Sequence, residues 1–137
     1  MVIAYTDGGS RGNPGPAGYG VQIVDDATGT VVAELREALG LATNNVAEYR
    51  GLLAALRWAM SNGVDQLLIR ADSELLVKQM KGEYRVKNEG LQPLYREAQE
   101  LSRRIGAVTF EHVRREANKP ADRLANLAMD EAAAAPT

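Results

Sequence analysis

The sequence predicts an α/β domain: a five-stranded mixed sheet, made of a three-strand antiparallel meander plus two parallel strands, flanked by helices in the order βββαβααβα. Three observations carry this expectation. The chain has 137 residues, 45% of them hydrophobic, which suffices for one sizeable core but not for two. The N-terminal part breaks into short apolar stretches bounded by turn residues, as strands do. Beyond Asn45 the apolar period lengthens to that of helices, interrupted by two more runs of strand length. Strands that alternate with helices after a meander imply a mixed sheet closed by crossovers.

Residues 2–6 read as an apolar first strand, and the Gly- and Pro-rich stretch from Gly8 to Pro16 as a loop. A second strand covers about 18–25, Asp26-Ala27-Thr28-Gly29 makes a hairpin turn, and a third strand runs from Thr30 to Ala38. Tyr49, Leu52, Leu53, Leu56 and Met60 have helical spacing between Asn45 and Asn62, where Asn62-Gly63 supplies the stop. Gln66 to Ala71 follows as a strand, Ser73 to Met80 and Leu91 to Ile105 as helices, and Ala107 to Val113 as the last strand. Pro120 near its start and Leu124, Ala125 and Ala128 on one face mark a final helix. Trp58 is expected in the core. The domain is taken as 1–131, with 132–137 a tail that reads as the start of a linker to a further domain.

There is no cysteine, which excludes disulfides, thiolate metal sites and a cysteine nucleophile. No apolar run approaches the roughly 20 residues of a membrane span, and the N-terminus lacks the pattern of a signal peptide, so a cytoplasmic protein is expected. A formal charge of −2 argues against a binder that grips nucleic acid by overall basicity. The bases are nevertheless clustered, at Lys78, Lys81, Arg85 and Lys87 and again at Arg114, Arg115, Lys119 and Arg123, which permits nucleic-acid contact without requiring it.

Four acids stand at predicted element boundaries: Asp7 ending the first strand, Glu48 in the first turn of the long helix, Asp72 at a strand-to-helix junction, and Asp122 opening the last helix. Each has an ordinary explanation. Asn45 to Glu48 reads as a capping box, Asp72 as an N-cap, Asp122 as a complement to the helix dipole, and Asp7 before Gly8-Gly9 as a turn residue. None of these explanations requires the four to meet, whereas in an open sheet the carboxyl ends of parallel strands and the following helix starts converge on one edge. Carboxylates gathered there raise one another's pKa unless cations neutralise them. Oxygen donors without cysteine or a suitable histidine select Mg²⁺ or Mn²⁺, and two such ions about 3.5–4 Å apart suit in-line phosphodiester displacement.

These residues also fall in stretches that resemble a known family across almost the whole chain. Thr6-Asp7-Gly8-Gly9-Ser10-Arg11-Gly12-Asn13-Pro14-Gly15-Pro16-Ala17-Gly18-Tyr19-Gly20 resembles the opening motif of the type 1 ribonucleases H. Thr43-Asn44-Asn45-Val46-Ala47-Glu48 resembles their second motif, Ala71-Asp72-Ser73 the third, and Ala117-Asn118-Lys119-Pro120-Ala121-Asp122-Arg123-Leu124-Ala125 the fourth. The resemblance implies the ribonuclease H-like fold and an endoribonuclease that cuts the RNA strand of an RNA/DNA hybrid, leaving 5′-phosphate and 3′-hydroxyl ends. It implies two ions, Mg²⁺ with Mn²⁺ as substitute: Asp7 bridges both, Glu48 and Asp72 complete one coordination shell, and Asp122 the other. It assigns substrate contacts to Gly8 and Ser10 through the backbone, to Asn13, Asn44 and Asn45 in the minor groove, to Glu74 on RNA, and to Thr43 and Asn88 at a DNA phosphate. Amides and 2′-hydroxyl contacts suit recognition of RNA without base specificity.

The chain departs from the family pattern in three places. Where many members carry a catalytic-loop histidine, this one has Arg114-Arg115-Glu116-Ala117-Asn118, which makes Glu116 a candidate substitute; the single histidine, His112, reads as a sheet-face residue by alternation with Val108 and Phe110. The basic helix with tryptophans that several relatives insert is missing between Lys81 and Glu89, as in the compact subgroup, and leaves Tyr84 as the local aromatic, a candidate for stacking on a DNA sugar. Val24 stands nearest the position of a phosphate-pocket arginine. Double-stranded RNA is a further expected substrate, and a monomer the expected state. The alternative is a catalytically weak hybrid-binding or connecting module of the same fold. An exonuclease would carry Asp-x-Glu on its first strand, and a P-loop would end in Gly-Lys-Ser/Thr; Asp7-Gly8-Gly9 and the following loop match neither.

Overall fold

A computed structural model describes residues 1–135. Its elements are β1 (Val2–Ser10), β2 (Gly15–Asp25), β3 (Thr30–Ala42), α1 (Asn44–Ser61), β4 (Gln66–Ala71), α2 (Glu74–Met80), α3 (Gln92–Ile105), β5 (Ala107–His112) and α4 (Lys119–Ala134), with a 3₁₀ turn at Arg115–Ala117. The sheet order is β3-β2-β1-β4-β5. β1 runs antiparallel to β2 and parallel to β4, and β4 parallel to β5, which is the expected meander plus two parallel strands. Among the described residues no helix is long and apolar enough to cross a membrane.

Alternation along the strands sorts the sheet into two faces. Ala4, Thr6 and Gly8 of β1 share a face with their partners Ile23, Val21 and Tyr19 of β2, and with Ile69 and Ala71 of β4. On this face lies the main core: Leu52, Leu53 and Leu56 of α1 are fully buried, with Leu76 and Val77 of α2 and Ala98 of α3 beside them. Trp58 is half-buried against it. The other face carries Ile3, Asp7 and the glycines Gly18 and Gly20, and α4 packs there through Ala121, Leu124, Ala125 and Ala128. The domain is thus two helical layers around a sheet.

Several boundaries differ from the sequence reading. Residues 8–16 are not one loop: β1 continues to Ser10 and β2 begins at Gly15, because Gly8, Gly9 and Ser10 pair with Tyr19, Gly18 and Ala17. Glycine removed the apolar signal there without removing the ladder. β3 likewise extends to Ala42, past a bulge that shifts register between Ala17 and Gly18. Val24 pairs with Ile3, at the far end of the β1–β2 ladder from Ser10, so it does not stand in a pocket with Thr43. α4 runs to Ala134, into the predicted tail, whose residues 136–137 lie outside the described residues.

The capping assignments also change. Thr43 is the N-cap of α1, its hydroxyl accepting from the Val46 N–H at 3.3 Å, so Asn45 opens no capping box and Glu48 sits two residues deeper in the helix than expected. Ser73, not Asp72, caps α2, accepting from the Leu76 N–H at 3.2 Å. Both acids are thereby released from helix capping. Thr43→Ala is expected to cost about 1 kcal/mol of stability, visible as a lower urea midpoint at unchanged slope.

Candidate active site

The parallel ladder between β1 and β4 ends at the pair Thr6–Ala71. Asp7 and Asp72 each follow that pair by one residue, so they stand side by side where the parallel ladder ends. Glu48 reaches the same edge from α1, and Asp122 from the first turn of α4. Asp7, Glu48 and Asp72 line a cleft of about 620 Å³, and Asp122 joins Asp7 in an adjoining one of about 250 Å³.

Glycine makes this convergence possible. A Cβ on Gly8 would sit 2.4 Å from the backbone carbon of Ala47 and 2.6 Å from the Glu48 nitrogen, so α1 approaches β1 only because that position is bare. A Cβ on Gly20, the ladder partner of Asp7, would sit 2.5 Å from the Ala121 oxygen and 2.5 Å from the Ala125 nitrogen. The two helices that carry Glu48 and Asp122 are therefore docked backbone to backbone on the strands that flank Asp7.

The electrostatics follow from this crowding. Burial, the neighbouring Asp72 charge and a hydrogen bond shared with Asp122 push the Asp7 carboxyl up to about 8, against the lowering effect of the Gly8 N–H, which donates to Oδ1 at 2.8 Å. Burial, with the Asp72 charge adding and a hydrogen bond from Ser73 opposing, pushes Glu48 up to about 7. None of the four acids is in an ion pair among the described residues. They line two adjoining open clefts, and among the described residues no three acids or histidines are gathered closely enough to hold a metal ion as they stand. The donor chemistry still fits a hard divalent cation: oxygen ligands only, no ion pair to any of the four acids, and two carboxyls raised by burial and by the neighbouring acids.

Comparison with known proteins bears on this geometry. A family model described as reverse transcriptase-like matches residues 5–128. The chain is 44% identical over 131 residues to ribonuclease HI of Halobacterium salinarum, covering 96% of itself and 65% of that protein. LC11-RNase H1, solved in complex with an RNA/DNA hybrid, superposes with a TM-score of 0.92 at 40% identity, over 98% of this chain and 100% of that one. The chain belongs to the type 1 ribonuclease H family. It is also 50% identical over 132 residues to a bifunctional protein of Mycobacterium tuberculosis, covering 96% of itself and 36% of that protein. The solved N-terminal RNase H domain of that protein gives a TM-score of 0.93, over 96% of this chain and 95% of that one. The chain thus spans about a third of the mycobacterial relative and about two thirds of the halobacterial one.

The other predicted positions of this ribonuclease H domain divide between the cleft and its surroundings. Gly8, Ser10, Asn13 and Asn44 form one connected corner: the Ser10 N–H donates to Asn44 Oδ1 at 2.8 Å, and the Asn44 N–H to Asn13 Oδ1 at 3.0 Å. Both amides therefore spend their acceptors on the backbone and keep their NH₂ groups for a ligand. Thr43 and Asn45 lie at the adjacent helix start. Glu116 lines the acidic cleft from the 3₁₀ turn. Asn88 turns the α2–α3 connection, accepting from the Gly90 N–H at 2.8 Å, and does not line the cleft. Glu74 is exposed and pairs with Lys78 at 3.0 Å. Tyr84 is exposed too, with the Lys78 ammonium 4.9 Å from its ring centroid.

Sequence reasoning missed three features. His112 is more than a sheet-face residue: at the end of β5 it lines the acidic cleft, 3.9 Å from Glu74. Arg114 and Arg115 line the same cleft, beside the acids rather than on a remote basic face. Gly20 and Asn118 were legible only as members of a motif; the close approach of one and the burial of the other need the packed structure.

Proposed function

We propose that this domain is an endonuclease that hydrolyses the RNA strand of an RNA/DNA hybrid, leaving 5′-phosphate and 3′-hydroxyl ends, with two divalent ions held by Asp7, Glu48, Asp72 and Asp122. The observation that carries the reading is the edge of four carboxylates, none of them in an ion pair among the described residues, in which burial and mutual repulsion raise Asp7 and Glu48. Mg²⁺ is the expected native ion and Mn²⁺ its substitute; bound there, they supply a nucleophilic water and stabilise the leaving oxygen. The protein's own part is positional. Asp7, the acid common to both clefts, is the one suited to serve both ions. The free NH₂ groups of Asn13 and Asn44 suit minor-groove acceptors and 2′-hydroxyls, which mark RNA without reading its sequence. Arg114 and Arg115 set two guanidiniums beside the acids, where they can pair with the phosphates of an incoming strand. Asn45, at the start of α1, suits the minor groove beside Asn13 and Asn44, and Thr43 and Asn88 a phosphate of the DNA strand. Glu116, which lines the cleft in place of a loop histidine, offers a further oxygen ligand and suits metal exchange.

The test is cleavage of an end-labelled hybrid beside RNA/RNA and DNA/DNA duplexes, with Mg²⁺, Mn²⁺ or chelator. Cutting confined to RNA and to the metal-containing reactions supports the reading, and cutting of the RNA duplex would extend it to double-stranded RNA. A folded protein that binds the hybrid and cuts nothing would leave the binding-module alternative standing. A cytoplasmic location and a monomeric state are proposed beside it, and a light-scattering mass that rises with concentration would refute the monomer.

A further inference from the structure

We propose that Asn118 is a positioning residue that clamps the start of α4 to β1 at Thr6 and so sets the separation of Asp7 and Asp122. The inference rests on the reading of those two acids as cation ligands. Asn118 is fully buried, one of only three buried polar or charged residues among those described. It occupies the N-cap of α4, where an asparagine side chain ordinarily accepts from the helix backbone, yet its side chain makes no cap bond. Its Nδ2 instead donates to the Thr6 carbonyl at 2.9 Å, across 112 residues of sequence, immediately before Asp7. Its own carbonyl accepts the Asp122 N–H at 3.0 Å. One residue thus joins, through two hydrogen bonds, the backbone next to one acid and the backbone of the other. The cost is visible: Asn118 Oδ1 is buried with no partner. A side chain that forgoes its cap and leaves an acceptor unsatisfied is held for the bond it does make.

A clamp of this kind acts on the ligand pair and not on the substrate. Asn118→Ala removes the bond to Thr6 and frees α4 to shift along the glycines of β2. Two measurements on this chain separate the role from plain stability: Mg²⁺ binding by calorimetry without nucleic acid, and kcat and KM for the hybrid across Mg²⁺ concentrations. The expected result is Mg²⁺ binding about 10-fold weaker and kcat lower by about 10- to 100-fold, the size typical of residues that orient metal ligands, with KM for the hybrid nearly unchanged. Part of the lost rate should return at high Mg²⁺. Leu56→Ala, in the main core, serves as the control for general destabilisation, and Asn118→Ser supplies a second variant where alanine fails to fold.

Asn118 variants that melt earlier but bind Mg²⁺ and turn over as wild type would overturn the inference, since the residue would then be structural only. So would a Leu56→Ala variant that loses Mg²⁺ affinity to the same extent. A wild type that neither binds Mg²⁺ nor cuts hybrid would overturn the reading of the acids themselves, and the clamp with it.

Discussion

Asp7→Asn is expected to lower hybrid cleavage by about 10³-fold or more while making the metal-free protein more stable, because the same charge that the reaction needs is a burden on the empty fold. Asp7 lies beside Asp72 and shares a hydrogen bond with Asp122, and burial with these neighbours lifts it from the ordinary aspartate value to about 8. A carboxyl raised in this way stabilises the fold while protonated. Its contribution is complete below about pH 4, where the unfolded chain is also protonated, and is lost as pH rises through about 8. Metal-free stability should therefore fall across that window, by on the order of a few kcal/mol for a shift of this size. Glu48, raised to about 7, adds a decline of the same sign. Asn in place of Asp7 removes the larger part of the slope and leaves that of Glu48. Urea unfolding at several pH values in chelator, repeated with Mg²⁺, measures this directly. A variant that is inactive and also less stable than wild type at pH 8 would show that Asp7 is held by favourable contacts, and that the acids are not a charge awaiting a cation.

The convergence of the four acids was legible in sequence and its construction was not. Hydrophobic period identifies each strand and helix, since it depends only on which residues face a core. The four acids were placed near element ends by the same pattern, although Asp7 lies within β1 and Glu48 beyond the first turn of α1. Glycine hid the rest. Gly8 and Gly9 read as a loop because they carry no side chain to show a period, yet they extend β1 by pairing with β2. Thr43 and Ser73 took the capping roles that the sequence allowed to Asn45 and Asp72, a choice among neighbouring polar residues that backbone geometry decides. Asn118 could be seen four residues before Asp122, but its bond to Thr6 spans most of the chain, and no local pattern reports it.

Gly20→Ala is expected to cost both stability and activity, although Gly20 lines neither of the clefts that the acids share. Its added Cβ would meet Ala121, Leu124 and Ala125 of α4 at 2.5 Å, two of those contacts being with helix backbone, which cannot turn aside as a flexible side chain can. The helix must back away, with an expected cost of about 3 kcal/mol for overpacking. Asp122 moves with it, and a displacement of about 1 Å at a reacting centre typically costs on the order of 10²-fold in rate. Glycine can also be required for its backbone conformation, and Gly29→Ala separates the two causes: that residue has a φ of 73° and nothing within 4 Å of a built Cβ. It should lose about 1 kcal/mol through left-handed strain and keep full activity. Urea midpoints and hybrid cleavage of both variants decide the matter. Equal behaviour of the two would mean that α4 tolerates a wider seat on β2, whereas the expected split, with activity lost only at Gly20, makes close approach of α4 to β2 the condition under which Asp122 reaches Asp7.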